Sequence, residues 1–129
     1  MLPNLVPTLT AAIRNRRCVA LYYDGQPESR TVEPHVLFRA GAEPAAEAVL
    51  VAYQIRGYHS SRRQGSYWRP FNLQKIDGLS VTQELFVPRL AYGYEKVLAA
   101  IKGEILVKAD SKPTEYTFLG AGIYGPSAP

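Results

Sequence analysis

The spacing of apolar residues divides the chain into a short helical start and a long extended region. Leu9, Ala12 and Ile13 share one face at helical spacing. Thr8 precedes them as a candidate N-cap. The pattern therefore predicts a helix over residues 8–17.

From Cys18 onward the hydrophobic period shortens to two, which is typical of β-strands. Turn residues such as Asp24-Gly25 separate the extended segments. Pro34 interrupts the second segment because it cannot donate to a strand ladder. Strands are predicted over residues 18–23, 30–38, 49–55, 67–73 and 79–87. Five short strands with hairpin-length links predict a mainly β fold, a small antiparallel five-stranded β-barrel rather than a βαβ sheet.

Beyond Pro88 the periodicity weakens. Residues 94–101 predict one amphipathic helix, and residues 104–108 predict a further strand. The last ten residues, 120–129, are rich in Gly and Pro and predict a flexible tail. The predicted organisation is an N-terminal helical segment over 1–17, a barrel over 18–87 and a C-terminal extension over 88–129. Whether the extension completes the barrel stays open.

Length and composition narrow the class of protein. With 129 residues, 47% of them hydrophobic and 20% charged, the chain predicts one folded domain. No apolar stretch is long enough to cross a bilayer, and Met1-Leu2-Pro3-Asn4 does not resemble a signal peptide. The single cysteine, Cys18, cannot form an internal disulfide. These features predict a cytoplasmic location.

The positive charge is concentrated in one stretch. The chain carries +4 in total, but the segment from Ala48 to Ile76 alone carries +5, so the remaining residues sum to −1. That segment holds no acidic residue; its basic residues are Arg56, Arg62, Arg63, Arg69 and Lys75. A localised basic surface attracts anions such as phosphates.

Motifs for catalysis, metals and cofactors are not found in the sequence. Cys18, His35 and His59 are too few and too scattered for a zinc site. There is neither a Walker loop nor a Gly-x-Ser-x-Gly motif, and no nucleophile stands with a base. We therefore predict that the protein is not an enzyme and binds no metal or cofactor.

The remaining signal is a mixture of basic and aromatic residues on predicted strands. Arg presents a planar fork suited to phosphate oxygens, and Tyr and Trp offer stacking faces. Alternatively, the aromatic residues fill the barrel and the arginines are solvated. The set comprises Tyr23, Arg30, His35, Tyr53, Arg56, Tyr67, Trp68, Arg69 and Lys75.

The order of these residues resembles the WYL domain family over residues 9–87. The matching blocks are Val19-x-Leu21-x-Tyr23, Arg30-x-Val32-Glu33-Pro34-His35-x-Leu37, Leu50-Val51-Ala52-Tyr53 and Arg69-x-Phe71-x-Leu73-x-Lys75-Ile76. The resemblance implies an Sm-like/SH3-like β-barrel after a short helix. It also implies a regulatory module of bacterial transcription factors and defence-associated proteins that senses nucleotides or nucleic acid.

Carried over position by position, the resemblance implies ligand-binding roles for Arg30, His35, Tyr53 and Arg69. Lys75 stands where the family usually has Arg. The Trp-Tyr-Leu that names the family is Ala48-Val49-Leu50 here, and its two aromatic residues are missing. Only about 17 residues precede the barrel, so no helix-turn-helix is expected there and direct operator binding does not follow.

Two hypotheses for the function follow. In the first, a non-catalytic regulatory module binds a nucleotide or single-stranded nucleic acid and modulates transcription or a defence system. Its ligand-binding residues are Arg30, His35, Tyr53, Arg56, Arg69 and Lys75, with Arg62 and Arg63 adding attraction at the rim. In the second, the chain is a protein-interaction or oligomerisation module, a homodimer through residues after Pro88 or an accessory to a separate regulator. A domain that lost its ligand together with the two aromatic residues is a third alternative.

Overall fold

A computed structural model describes residues 2–41, 47–58 and 67–110. Two helices and six strands make up these residues. They are α1 Leu5–Arg14, β1 Arg17–Tyr23, β2 Arg30–Arg39, β3 Ala48–Gly57, β4 Trp68–Asn72, a 3-10 turn Leu73–Lys75, β5 Ile76–Leu85, α2 Tyr94–Ala100 and β6 Glu104–Lys108.

Helix α1 begins earlier than the sequence predicts. Its N-cap is Asn4 in the left-handed conformation (φ 62°) and not Thr8. The buried stripe consists of Leu5, Leu9, Ala12 and Ile13, so the apolar spacing extends one turn further toward the N-terminus than we predicted.

All neighbouring strands of the sheet are antiparallel. The order is β4-β3-β2-β1-β5, so the first four strands form a meander and β5 returns to pair with β1. Strand β2 runs through Pro34, which was expected to interrupt it. A register shift between Pro34 and Val36 accommodates the missing N–H there.

Strand β6 places part of the C-terminal extension in the sheet. It pairs with β2 at residues 36–39, whereas β1 pairs with β2 at residues 30–32. Because β3 occupies the other edge of β2, β1 and β6 share one edge, end to end. The sheet therefore has six strands and not five. Within the described residues β4 and β5 do not pair, so the sheet is open and the predicted closed barrel is not observed.

The two faces of the sheet have different coverings. One, which we call the core face, packs against α1 and carries Leu21, Leu50 and Phe71. The opposite face packs against α2 and carries Val36, Val51 and Trp68 around the buried Tyr94. Strand alternation assigns each candidate site residue to one of these faces.

Several predictions fall outside the described part of the chain. These are Arg62 and Arg63 and the tail over 120–129. The predicted domain boundaries stay a prediction. No helix among the described residues is long and apolar enough to span a bilayer.

Candidate anion-binding site

Arg30 opens β2 and lies on the core face, opposite Leu21 of β1. Only 5% of its surface is exposed. On its other side it pairs with Gly57, whose φ of +103° and close approach require glycine. A Cβ at Gly57 would lie 2.3 Å from the carbonyl oxygen of Ser29. The end of β3 therefore packs directly against the backbone that carries Arg30.

The contacts of the Arg30 guanidinium are to neutral groups. Nη2 donates to Gln26 Oε1 at 2.9 Å and Nη1 to Gln54 Oε1 at 3.4 Å. The guanidinium carbon lies 5.4–5.6 Å from three ring centroids, those of Tyr23, Tyr58 and Phe71. Arg30 Nε is buried and has no hydrogen-bond partner among the described residues. One donor of a buried cation is thus left unsatisfied.

A carboxylate partner for Arg30 is also missing from the described residues. Burial lowers the pKa of the Arg30 guanidinium, and the neighbouring charge of Arg69 lowers that pKa further. A guanidinium nevertheless stays protonated in proteins. The protein therefore holds a buried positive charge beside a second one.

Arg69 reaches the same face from β4. It pairs with Ala52 of β3, which belongs to the hydrophobic cluster on the core face. Phe71, two residues further along β4, contacts Arg30 and Tyr23. Two of the predicted site residues, Arg30 and Arg69, are thus brought together on one face.

His35 is placed differently from the prediction. Its side chain is completely buried, and its ring packs against Trp68, Phe86 and Tyr94 on the opposite face. Burial lowers the pKa of the imidazole to about 4. The predicted ligand-binding role of His35 finds no support in this placement.

Tyr53 and Arg56 also lie away from Arg30. Tyr53 pairs with Trp68 of β4. Its side chain therefore projects from the same face as Trp68, which is the face opposite the core face. Arg56 pairs with Thr31, the neighbour of Arg30, and its exposed guanidinium forms an ion pair with Glu84 of β5. Lys75 is exposed in the 3-10 turn.

On the opposite face another arginine, which the sequence analysis did not select, pairs with a carboxylate. Arg89 Nε donates to Glu33 Oε1 at 2.6 Å and Nη2 to Glu33 Oε2 at 3.2 Å. Its guanidinium carbon lies 4.2 Å from the Tyr53 ring centroid and 5.5 Å from that of Tyr92. Arg89 is therefore a charge-balanced counterpart of Arg30.

Sequence reasoning missed the neutral partners of Arg30. Gln54 carried a signal, because it is a polar residue within the most apolar predicted strand and is 2% exposed in the structure. Its Nε2 donates to the carbonyl oxygen of Tyr58, which orients its Oε1 toward Arg30. Gln26 lies in the turn after β1 and offered no comparable signal. The described residues contain no group of three or more His, Cys, Asp or Glu that would hold a metal ion.

The comparisons with known proteins concern the fold. No protein-family model matches the sequence, and no curated protein matches it. Among solved structures, the chain is similar to proteasome accessory factor B/C (PafBC) of Arthrobacter aurescens, with a TM-score of 0.53 and 22% sequence identity. The match covers 75% of this chain but only 14% of that one. The likeness supports a WYL-like fold and, at this identity, shows the fold alone.

Proposed function

We propose that the protein is a non-catalytic regulatory module that binds the phosphate of a nucleotide or of single-stranded nucleic acid between Arg30 and Arg69. The observation that carries this proposal is the buried guanidinium of Arg30, which has only neutral partners and lies beside a second arginine. A buried guanidinium without a carboxylate partner is costly, and the neighbouring charge of Arg69 adds to the cost of holding Arg30 there. A phosphate binds guanidinium forks well because its oxygens accept two parallel hydrogen bonds.

The surroundings suit a nucleotide. Tyr23 and Tyr58 flank Arg30 and offer ring faces beside the proposed phosphate position. Lys75 follows β4 in the 3-10 turn, and the chain's +5 segment contains both Arg69 and Lys75. A role in transcription or defence is what the WYL resemblance adds to this proposal, together with an Sm-like/SH3-like barrel as the parent fold.

Arg69→Ala should weaken binding to a short single-stranded oligonucleotide at least about tenfold, because a charge-assisted hydrogen bond is lost. The plot of log K against log salt should also flatten by about 0.7 for one lost phosphate contact. Fluorescence anisotropy at two salt concentrations measures both effects.

The matched control for that experiment is Arg14→Ala, which removes the same charge from an exposed position at the end of α1. It should change affinity less than about twofold, since exposed charges act weakly through screened solvent. Equal losses in the two variants would show that only net charge matters, and the Arg30–Arg69 site would be rejected.

A second candidate function, protein interaction, is favoured by one observation. Four large apolar residues are exposed within eight positions where β5 ends and the link to α2 begins: Leu85, Val87, Leu90 and Tyr92. Val87 is 83% exposed. Clustered exposed apolar residues are typical of interaction surfaces, and an isologous homodimer is the simplest partner for them.

Val87→Asp should raise the dissociation constant of such a homodimer at least about tenfold, because a charge would be buried in an apolar contact. Light scattering over a range of protein concentrations measures the change. Deleting residues 88–129 is a poor test, since it removes β6 from the sheet and Arg89 from Glu33. Wild-type protein that stays monomeric at every concentration would exclude the homodimer.

A further inference from the structure

A cleft lies on the face of the sheet opposite the Arg30–Arg69 site. Its volume is about 440 Å³, and it is lined by Tyr53, Gln54, Ile55, Tyr67 and Arg89. That volume is within the range of ligand sites for small molecules, roughly 300–1,000 Å³. The rings of Tyr53 and Tyr67 meet edge to face at 6.0 Å, and 42% of Tyr67 is exposed. The cleft is therefore open and has aromatic walls.

Arg89, which also lines this cleft, is held in place by hydrogen bonds and by a ring contact. Its guanidinium donates two hydrogen bonds to the carboxylate of Glu33, and its backbone N–H donates to His35 Nε2 at 3.0 Å. The guanidinium carbon lies only 4.2 Å from the ring centroid of Tyr53. A surface that is already ordered loses little entropy when a ligand binds to it.

The charge in the cleft is balanced. Glu33, whose side chain is 8% exposed, neutralises Arg89 at hydrogen-bonding distance. A phosphate bound at Arg89 would lie close to the carboxylate of Glu33 and be repelled by it. A flat, uncharged ring gains from stacking on tyrosine and guanidinium faces and meets no such repulsion.

We propose that this cleft binds one nucleobase, or a similarly flat and uncharged heteroaromatic ring, by stacking against Tyr67 and Arg89. The cleft shares Gln54 with the anion site, since Gln54 lines the cleft and its Oε1 accepts from Arg30. The proposal does not rest on the anion site, because stacking on Tyr67 and Arg89 requires no phosphate. The probe that isolates it is a nucleoside, which carries the base without a phosphate.

The chain's single tryptophan is a natural reporter for this cleft. Trp68 contacts Tyr53 at 5.2 Å between ring centroids and donates from Nε1 to the carbonyl oxygen of Tyr92 at 2.7 Å. Adenosine and uridine, titrated with excitation where neither absorbs, should produce a saturable change in Trp68 fluorescence. Tyr67→Ala should weaken binding roughly tenfold or more, the usual effect of losing one stacking ring. Tyr67→Phe should keep wild-type affinity.

Two controls separate this site from the anion site. Arg69→Ala should bind adenosine as wild type does, and inorganic phosphate should not compete with adenosine. Equilibrium dialysis with labelled adenosine repeats the measurement without relying on Trp68. Absence of binding by both methods, or equal affinity in wild type and Tyr67→Ala, would overturn the nucleobase cleft and leave the phosphate proposal standing. Loss of adenosine binding in Arg69→Ala would contradict the assignment to two separate sites.

Discussion

Replacing Arg30 with methionine is expected to raise the free energy of unfolding by about 1 kcal/mol and to abolish phosphate binding. Arg30 is 5% exposed, has no carboxylate partner among the described residues and lies beside Arg69. Methionine has a similar length and fills the space between the rings without a charge. The desolvation of the guanidinium and its repulsion by Arg69 are both removed.

The favourable contacts that Arg30→Met removes are weaker than the desolvation and repulsion that it relieves. The hydrogen bond to Gln54 is long, at 3.4 Å, and Gln26 is half-buried and can turn its amide to water. The three ring contacts lie at 5.4–5.6 Å, near the outer limit of about 6 Å for cation–π attraction. Urea unfolding followed by Trp68 fluorescence measures stability, and oligonucleotide titration of the same variant measures binding.

Arg89→Met is the matched control, because it removes an arginine whose charge is balanced. It leaves the carboxylate of Glu33, 8% exposed, without its partner. Breaking a buried ion pair from one side is strongly destabilising, and with Arg89 partly exposed we expect a loss of about 2–3 kcal/mol. The two arginine variants should therefore change stability in opposite directions. An Arg30→Met protein that is clearly less stable than wild type and still binds phosphate would refute the site.

Local patterns in the sequence were sufficient to predict most elements of the fold. The period-two spacing after Cys18 predicted β1, and the apolar run over 49–55 predicted β3 almost to its ends. The helix over 94–101 and the strand over 104–108 are confirmed by α2 and β6. Each of these elements was predicted from the spacing of apolar residues within one segment, every second residue in a strand and every third or fourth in a helix.

The pairing of segments that are distant along the chain could not be predicted from the sequence. Nothing in residues 104–108 indicates that they pair with the second half of β2, next to the end of β1. That pairing depends on β2 being long enough to serve two partners on one edge. The strand count was wrong for this reason, because the sheet has six strands and not five, and within the described residues it is open.

The structure separates the candidate site residues onto the two faces of the sheet. Arg30 and Arg69 lie on one face, while Tyr53, Arg56 and His35 belong to the other. The register shift between Thr31 and Val32 places an extra residue, Ile55, in β3, and the shift between Pro34 and Val36 places an extra residue, His35, in β2. Pro34 indicated only an interruption near the second shift and nothing indicated the first, so strand alternation alone could not show which residues share a face.

The hydrogen bonds of His35 fix its protonation state. Nδ1 lies 2.8 Å from the carbonyl oxygen of Glu33, which can only accept, so Nδ1 carries the hydrogen. Nε2 accepts from the backbone N–H of Arg89 at 3.0 Å, so it carries none. Protonating the ring would break the second bond. The fully buried position disfavours the charged form as well.

The free energy of unfolding is expected to fall by about 3 kcal/mol as the pH drops from 6.5 to about 4, because of His35. Burial is the main cause of the lowered pKa, from 6.5 to about 4; Arg89 and Arg16 lower it further, while the hydrogen bond to Glu33 and the charge of Asp110 raise it. In that interval the unfolded chain binds a proton that the folded state does not, so stability is fully present above pH 6.5 and lost toward pH 4.

The contribution of His35 can be separated from that of the other titrating groups by comparing variants over this pH range. The unfolding free energy of wild type minus that of His35→Phe should fall as the pH drops from 6.5 to 4. The reason is that phenylalanine keeps the ring contacts with Trp68 and Phe86 but does not titrate. If His35→Phe does not fold, His35→Gln serves the same purpose. A pH-independent difference between wild type and the His35 variant would mean that the imidazole is protonated in the folded protein, and the bond from the Arg89 N–H to Nε2 would then be excluded.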